Sequence, residues 1–138
     1  MPSPPRTVVP RPTDEKLTIN LGVVDLGRID LLVSEGFYSN RSDLIRAAIR
    51  RELDRHADTV REAAERRTLV LGIREFTASD LEAVRGRGER LVIRVLGLAS
   101  FAPDITPELA LATIESITVL GALHASPALK RALADRLR

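Results

Sequence analysis

Cysteine is absent from the 138 residues, which excludes disulfides, thiolate nucleophiles and every metal site built on sulfur. Histidine is scarce: His56 and His124 are too few for an all-His cluster within one chain. Tryptophan is missing and aromatic residues make up 3% of the chain. No run approaches the roughly 20 apolar residues that cross a bilayer, and the opening Met-Pro-Ser-Pro-Pro-Arg has no apolar stretch of signal-peptide length. These absences point to a reducing cytoplasm. Lysine is limited to Lys16 and Lys130, so the pI near 9.6 reflects arginine rather than a strong positive field; 21 basic against 19 acidic residues leave a net charge of +2. Charge alone therefore does not argue for a nucleic-acid partner. With 44% hydrophobic and 29% charged residues, the composition suits one compact domain or two very small ones.

Five of the eight prolines fall in the first dozen residues, which predicts a flexible arm over residues 1–14. Beyond it, Lys16 to Leu21 alternates polar with apolar, the period of a strand with Leu17, Ile19 and Leu21 on one face and Lys16, Thr18 and Asn20 on the other. Leu26, Ile29, Leu32 and Val33 predict a helix over about 25–35, stopped by Gly36. Ser39 or Asn40 can cap a second helix, whose stripe Ile45, Ile49, Leu53, His56, Val60 and Ala64 carries it to about Arg67. Its second half, 56–67, reads as a semi-rigid connector or a weak coiled coil, with a narrow apolar seam that includes a partly buried His56. From residue 68 onward the chain repeats itself: Leu-Gly recurs at 71–72, 96–97 and 120–121, each time after a Val-bearing apolar run. Helix-start signals follow at Ser79, at Thr106-Pro107 and at Ser126-Pro127. The pattern predicts three strand-helix units with parallel strands, which would stack as a short solenoid.

A single short strand followed by two helices cannot close a core, because both strand edges stay unpaired and the apolar face is half covered. Pairing with a second copy solves both problems. In such a dimer the two strands form an antiparallel ribbon, and Lys16, Thr18 and Asn20, doubled by the twofold axis, stand on its outer face. A two-stranded ribbon fits the major groove of B-DNA, where Asn reads adenine, Thr serves either base and Lys reaches guanine or phosphate. Lys16-Leu17-Thr18-Ile19-Asn20-Leu21, together with Gly36-Phe37-Tyr38-Ser39-Asn40-Arg41-Ser42-Asp43-Leu44-Ile45-Arg46, resembles the ribbon-helix-helix family of bacterial DNA-binding proteins, of the CopG, Arc and MetJ type. Within it the segment around Asn40-Arg41-Ser42 is most similar to the nickel-responsive repressor and the ParD-type antitoxins. The resemblance covers about residues 15–55. It implies a dimeric transcription factor in which Lys16, Thr18 and Asn20 read bases, while the helix start at Asn40, Arg41 and Ser42 grips a phosphate through backbone N–H groups. Nickel sensing does not carry over, since only His124 lies beyond residue 67.

The expected fold class is therefore α+β: a ribbon-helix-helix domain over 15–55, a helical connector over 56–67, and a βα-repeat domain over 68–138 that joins subunits or receives a signal. The expected function is a DNA-binding transcriptional regulator, a repressor, acting as a homodimer or homotetramer on double-stranded DNA without a cofactor. Rival readings are an antitoxin that regulates its own operon and neutralises a toxin partner, and a scaffold protein assembled through the C-terminal repeats. An ordinary solvated strand face would also explain Lys16, Thr18 and Asn20, and a surface ion pair with Asp43 or a neighbouring carboxylate would explain Arg41. Arg6 and Arg11 could follow a DNA backbone, but Asp14 and Glu15 offset them. Arg85-Gly86-Arg87-Gly88-Glu89-Arg90 reads as a turn, lacking the Lys-Ser/Thr ending of a phosphate loop. Asp104, Glu108 and Glu115 are scattered and have no nucleophile or base beside them, so no catalytic, and no metal, residue is named.

Overall fold

The computed structural model describes residues 13–138 and divides the chain into two compact units, one ending at Glu62 and the other spanning Ala63–Arg138. The proline-rich arm, with Arg6 and Arg11, lies outside the described residues except for its last two positions. The chain mixes helix and strand, as the sequence patterns predict. Among the described residues no helix is long and apolar enough to cross a membrane.

In the first unit, residues 14–22 form no ladder with their own chain. Helix α1 (Val23–Ser34) begins slightly earlier than the periodicity predicts, with Gly22 at its cap position. It stops where expected: Gly36 takes a φ of 85°, and its N–H and those of Glu35 and Phe37 turn back to the carbonyls of Val33, Leu31 and Leu32. Asn40, rather than Ser39, caps helix α2 (Arg41–Arg55), its side chain accepting from the Asp43 amide at 2.9 Å. The single long second helix expected from the stripe is instead two. His56 interrupts it with a tightened turn, its N–H reaching Leu53 at 3.1 Å, and helix α3 (Ala57–Arg66) follows. His56, Asp58 and Thr59 are all weak helix formers, and their crowding places the break. His56 is also not a seam residue: its side chain is 60% exposed, 3.4 Å from Glu52.

The second unit is built on three parallel strands in sequential order, β1 (Val70–Phe76), β2 (Leu91–Phe101) and β3 (Ile114–His124). Helices α4 (Ala78–Gly86), α5 (Pro107–Thr113) and α6 (Pro127–Ala132) follow them in turn. Right-handed crossovers between sequential parallel strands put every helix on one face. The core agrees, for Leu81, Leu109 and Leu129 from the helices join Phe76, Val95, Phe101, Ile114 and Ile117 from the strands in one buried cluster. Thr106 and Ser126 cap α5 and α6 with Pro at the first helical position, as predicted. The cap of α4 is Thr77, not Ser79: Thr77 and Asp80 exchange reciprocal bonds with each other's amides at 3.1 and 2.9 Å. The Arg- and Gly-rich stretch after α4 is a turn, with Gly88 at φ 67° and Arg85 and Arg87 paired to Glu82 and Glu89.

The Leu-Gly pairs coincide in the ladder. Leu71, Leu96 and Leu120 lie side by side, and so do Gly72, Gly97 and Gly121, each glycine with positive φ. At Gly97 and Gly121 the neighbouring strand approaches so closely that only a residue without Cβ fits.

Candidate nucleic-acid interface

The apolar half of the 16–21 alternation turns towards α2. Leu17 and Ile19 line an open depression together with Ile45 and Ile49 of α2, and Ser42 and Arg46 border it. Lys16, Thr18 and Asn20 are exposed and line no part of that depression. The period-2 pattern thus acts as it does in any strand with one face against helices, sorting side chains by polarity. Leu17 nonetheless remains 77% exposed and Ile19 53%. None of the described residues before Glu62 is buried, and Leu21, Val23, Leu31, Phe37 and Leu53 add to the apolar surface left open.

The start of α2 is tied to α1 by a side-chain pair. Arg41 donates from Nε and Nη2 to the two carboxylate oxygens of Asp30, at 2.7 and 2.8 Å, a fork-to-fork pair. The hydrogen bond from Arg41 holds the Asp30 carboxyl below its ordinary pKa and raises that of the guanidinium in turn. Asn40, Arg41 and Ser42 adjoin in the chain, but their side chains serve three neighbours: the Asp43 amide, Asp30 and the depression. What they share is backbone. With the Asp43 amide capped by Asn40, the N–H groups of Arg41 and Ser42 have no acceptor within the helix, and the positive end of the helix dipole sits behind them.

Asp30 is the residue that sequence reading passed over. An acid one helix earlier carries no local signal, since the pairing depends on how α1 and α2 cross. The acids Asp104, Glu108 and Glu115 are exposed and separate, and among the described residues no group of His, Asp and Glu could hold a metal ion.

The sequence model described as the Ribbon-Helix-Helix transcriptional regulator family matches residues 12–130, most of the chain. No curated protein and no solved structure matches it.

Proposed function

Because the chain belongs to the ribbon-helix-helix transcriptional regulator family, whose members bind DNA, we propose that it acts as a dimer on a twofold-related operator. Residues 16–21 of two copies would pair as an antiparallel ribbon in the major groove, with Lys16, Thr18 and Asn20 reading base edges. One observation carries this reading: Leu17 and Ile19 share a depression with Ile45 and Ile49, while the polar residues between them stay outside it. A second copy laid over that depression would supply the core the first unit lacks.

The start of α2 would hold a DNA phosphate through the amides of Arg41 and Ser42, with Asn40 fixing the turn that presents them. Arg41 serves this geometry by clamping α1 to α2 through Asp30. In this reading residues 15–55 are the DNA-binding part, 56–67 connect, and 68–138 join dimers into a tetramer or receive a signal. Occupying an operator would exclude other proteins from it, the action of a repressor.

The test is a binding site selected from random duplexes, followed by affinity measurements on the selected and a scrambled duplex. Asn20→Ala should cost about 1–3 kcal/mol on the selected site and little on the scrambled one. Affinity should fall with salt at a log-log slope of about 0.9 per neutralised phosphate. Equal loss on both duplexes would remove Asn20 from base reading, and a chain that stays monomeric on DNA would end the ribbon.

A further inference from the structure

The glycine level of the second unit follows a rule that its first strand leaves open. The carbonyl of Gly72 stands where Gly97 would carry a Cβ, and the carbonyl of Gly97 stands where Gly121 would carry one, so each glycine makes room for the strand before it. Gly72 has the same kind of backbone, at φ 131°, yet nothing lies within 4 Å of the place its Cβ would take. By the same geometry that place faces away from β2, at the bare edge of the sheet. The φ alone calls for glycine; what the level adds is a clear approach for a further strand.

Both edges of the sheet are open at matching levels. β1 pairs with β2, and the described residues offer no backbone partner on its other side. Outside β3, Leu137 bridges Ile117, and the Arg138 amide donates to the Ile117 carbonyl at 2.8 Å. Beyond that level, residues 119–123 have no backbone partner outside β3 among the described residues. The register of the sheet sets Val70 beside Val95 and Val95 beside Val119. A β1 added outside β3 in the same step would put Val70 beside Val119, Leu71 beside Leu120 and Gly72 beside Gly121, two levels clear of Leu137.

The side chains at these levels match as well. Leu71, Leu96 and Leu120 form one row across the sheet, apart from the buried cluster under the helices. Leu96, flanked by a strand on each side, is largely covered, whereas Leu71 at the bare edge is 78% exposed and Leu120 at the other 40%. A solenoid ends in a polar cap where it stops, and none lies outside β1 among the described residues. α5 packs beside both α4 and α6, so continuing the stack would bring α6 beside the α4 of another copy. α6 carries Lys130 and Arg131 without an acid, and α4 carries Asp80 and Glu82 against Arg85 alone.

We propose that the second unit binds a second copy of itself head to tail, β1 of one copy pairing in parallel with residues 119–123 of its partner, so that Gly72 stands beside the partner's Gly121. The glycine rule then runs on through the joint, and both exposed ends of the leucine row are covered. A contact between two different edges repeats from copy to copy, whereas β1 against another β1 would run antiparallel and leave the β3 edge bare. The proposal rests on the joining role given above to residues 68–138 and not on the ribbon.

The experiment uses the full chain without DNA. Ribbon pairing alone stops at a dimer, so sedimentation velocity should show an average mass that keeps rising past a dimer between about 1 µM and 1 mM. If the ribbon fails, the series starts from a monomer and still rises. Hydrogen exchange in concentrated against dilute chain should slow at both 70–74 and 119–123. Leu71→Lys and Leu120→Lys, both at solvent-facing positions, should each weaken association at least about tenfold. An equimolar mixture should regain it, because the β1 edge of one variant and the β3 edge of the other are unaltered. A mass that levels off at a monomer, dimer or tetramer overturns the proposal, as does protection confined to β1 or a mixture of folded variants that regains nothing. Mass and exchange on the unaltered chain decide it even if a variant fails to fold.

Discussion

A Cβ built on Gly97 would meet the carbonyl oxygen of Gly72, and one on Gly121 that of Gly97, both inside the 3.0 Å that real side chains do not cross. Gly72 has the same kind of backbone, at φ 131°, but open space where its Cβ would go. The three positions therefore separate conformational strain from steric exclusion. Gly72→Ala should cost about 1–3 kcal/mol from strain alone, and Gly97→Ala and Gly121→Ala on the order of 4 kcal/mol, because a strand must also move. Urea unfolding of the three variants reads the order directly. Asp30 offers a second test. Its folded pKa is depressed by Arg41, so the stabilisation is complete above the unfolded value near 3.9 and is lost as pH falls through the lower folded value. Thermal melts of the unaltered chain and of Asp30→Asn should differ slightly at neutral pH, begin to converge as pH falls below about 4, and meet only below the depressed folded value. The difference stays small because both partners are about half exposed.

At the scale of elements, α4 shows what a local signal can and cannot say. A Ser or Thr three residues ahead of an acid fits Thr77 with Asp80 and Ser79 with Glu82 alike, so the local spacing leaves two candidates. The structure uses Thr77, whose bonds also lower the Asp80 pKa. Thr77→Ala should therefore lose about 1 kcal/mol in urea unfolding, and Ser79→Ala close to nothing. Leu81 on the inner face of the same helix is fully buried, and its truncation to Ala should cost about 2–5 kcal/mol. The break at His56 was hidden for a different reason. The apolar spacing continues through it, so periodicity alone extends the helix, and only the weak formers at 56, 58 and 59 record the interruption.

For the molecule as a whole, the two units differ in where their cohesion comes from. Residues 63–138 bury Leu81, Ile114, Ile117, Leu129 and Leu133 almost completely, and even the buried Thr113 hydroxyl is satisfied by donating to Leu109 at 2.7 Å. The residues before Glu62 bury nothing that is described. If a second copy supplies the missing core, the first unit should melt at a temperature that rises with protein concentration. Calorimetry over a hundredfold concentration range would reveal this, and a melting temperature of the first unit indifferent to concentration would contradict the ribbon dimer.

Family membership, the mixed α and β composition and the three parallel strands could all be read from one chain, because alternation, cap residues and the recurring Leu-Gly are local and periodic. The polarity of residues 16–21 is likewise legible in the sequence alone, since a period of two sorts side chains whatever the partner is. Two features waited for the tertiary structure: the Asp30–Arg41 clamp and the stacking of three glycines into one tight level. Each joins residues distant in sequence. Such facts arise from the crossing of helices and the register of strands, which no stretch of local sequence encodes by itself.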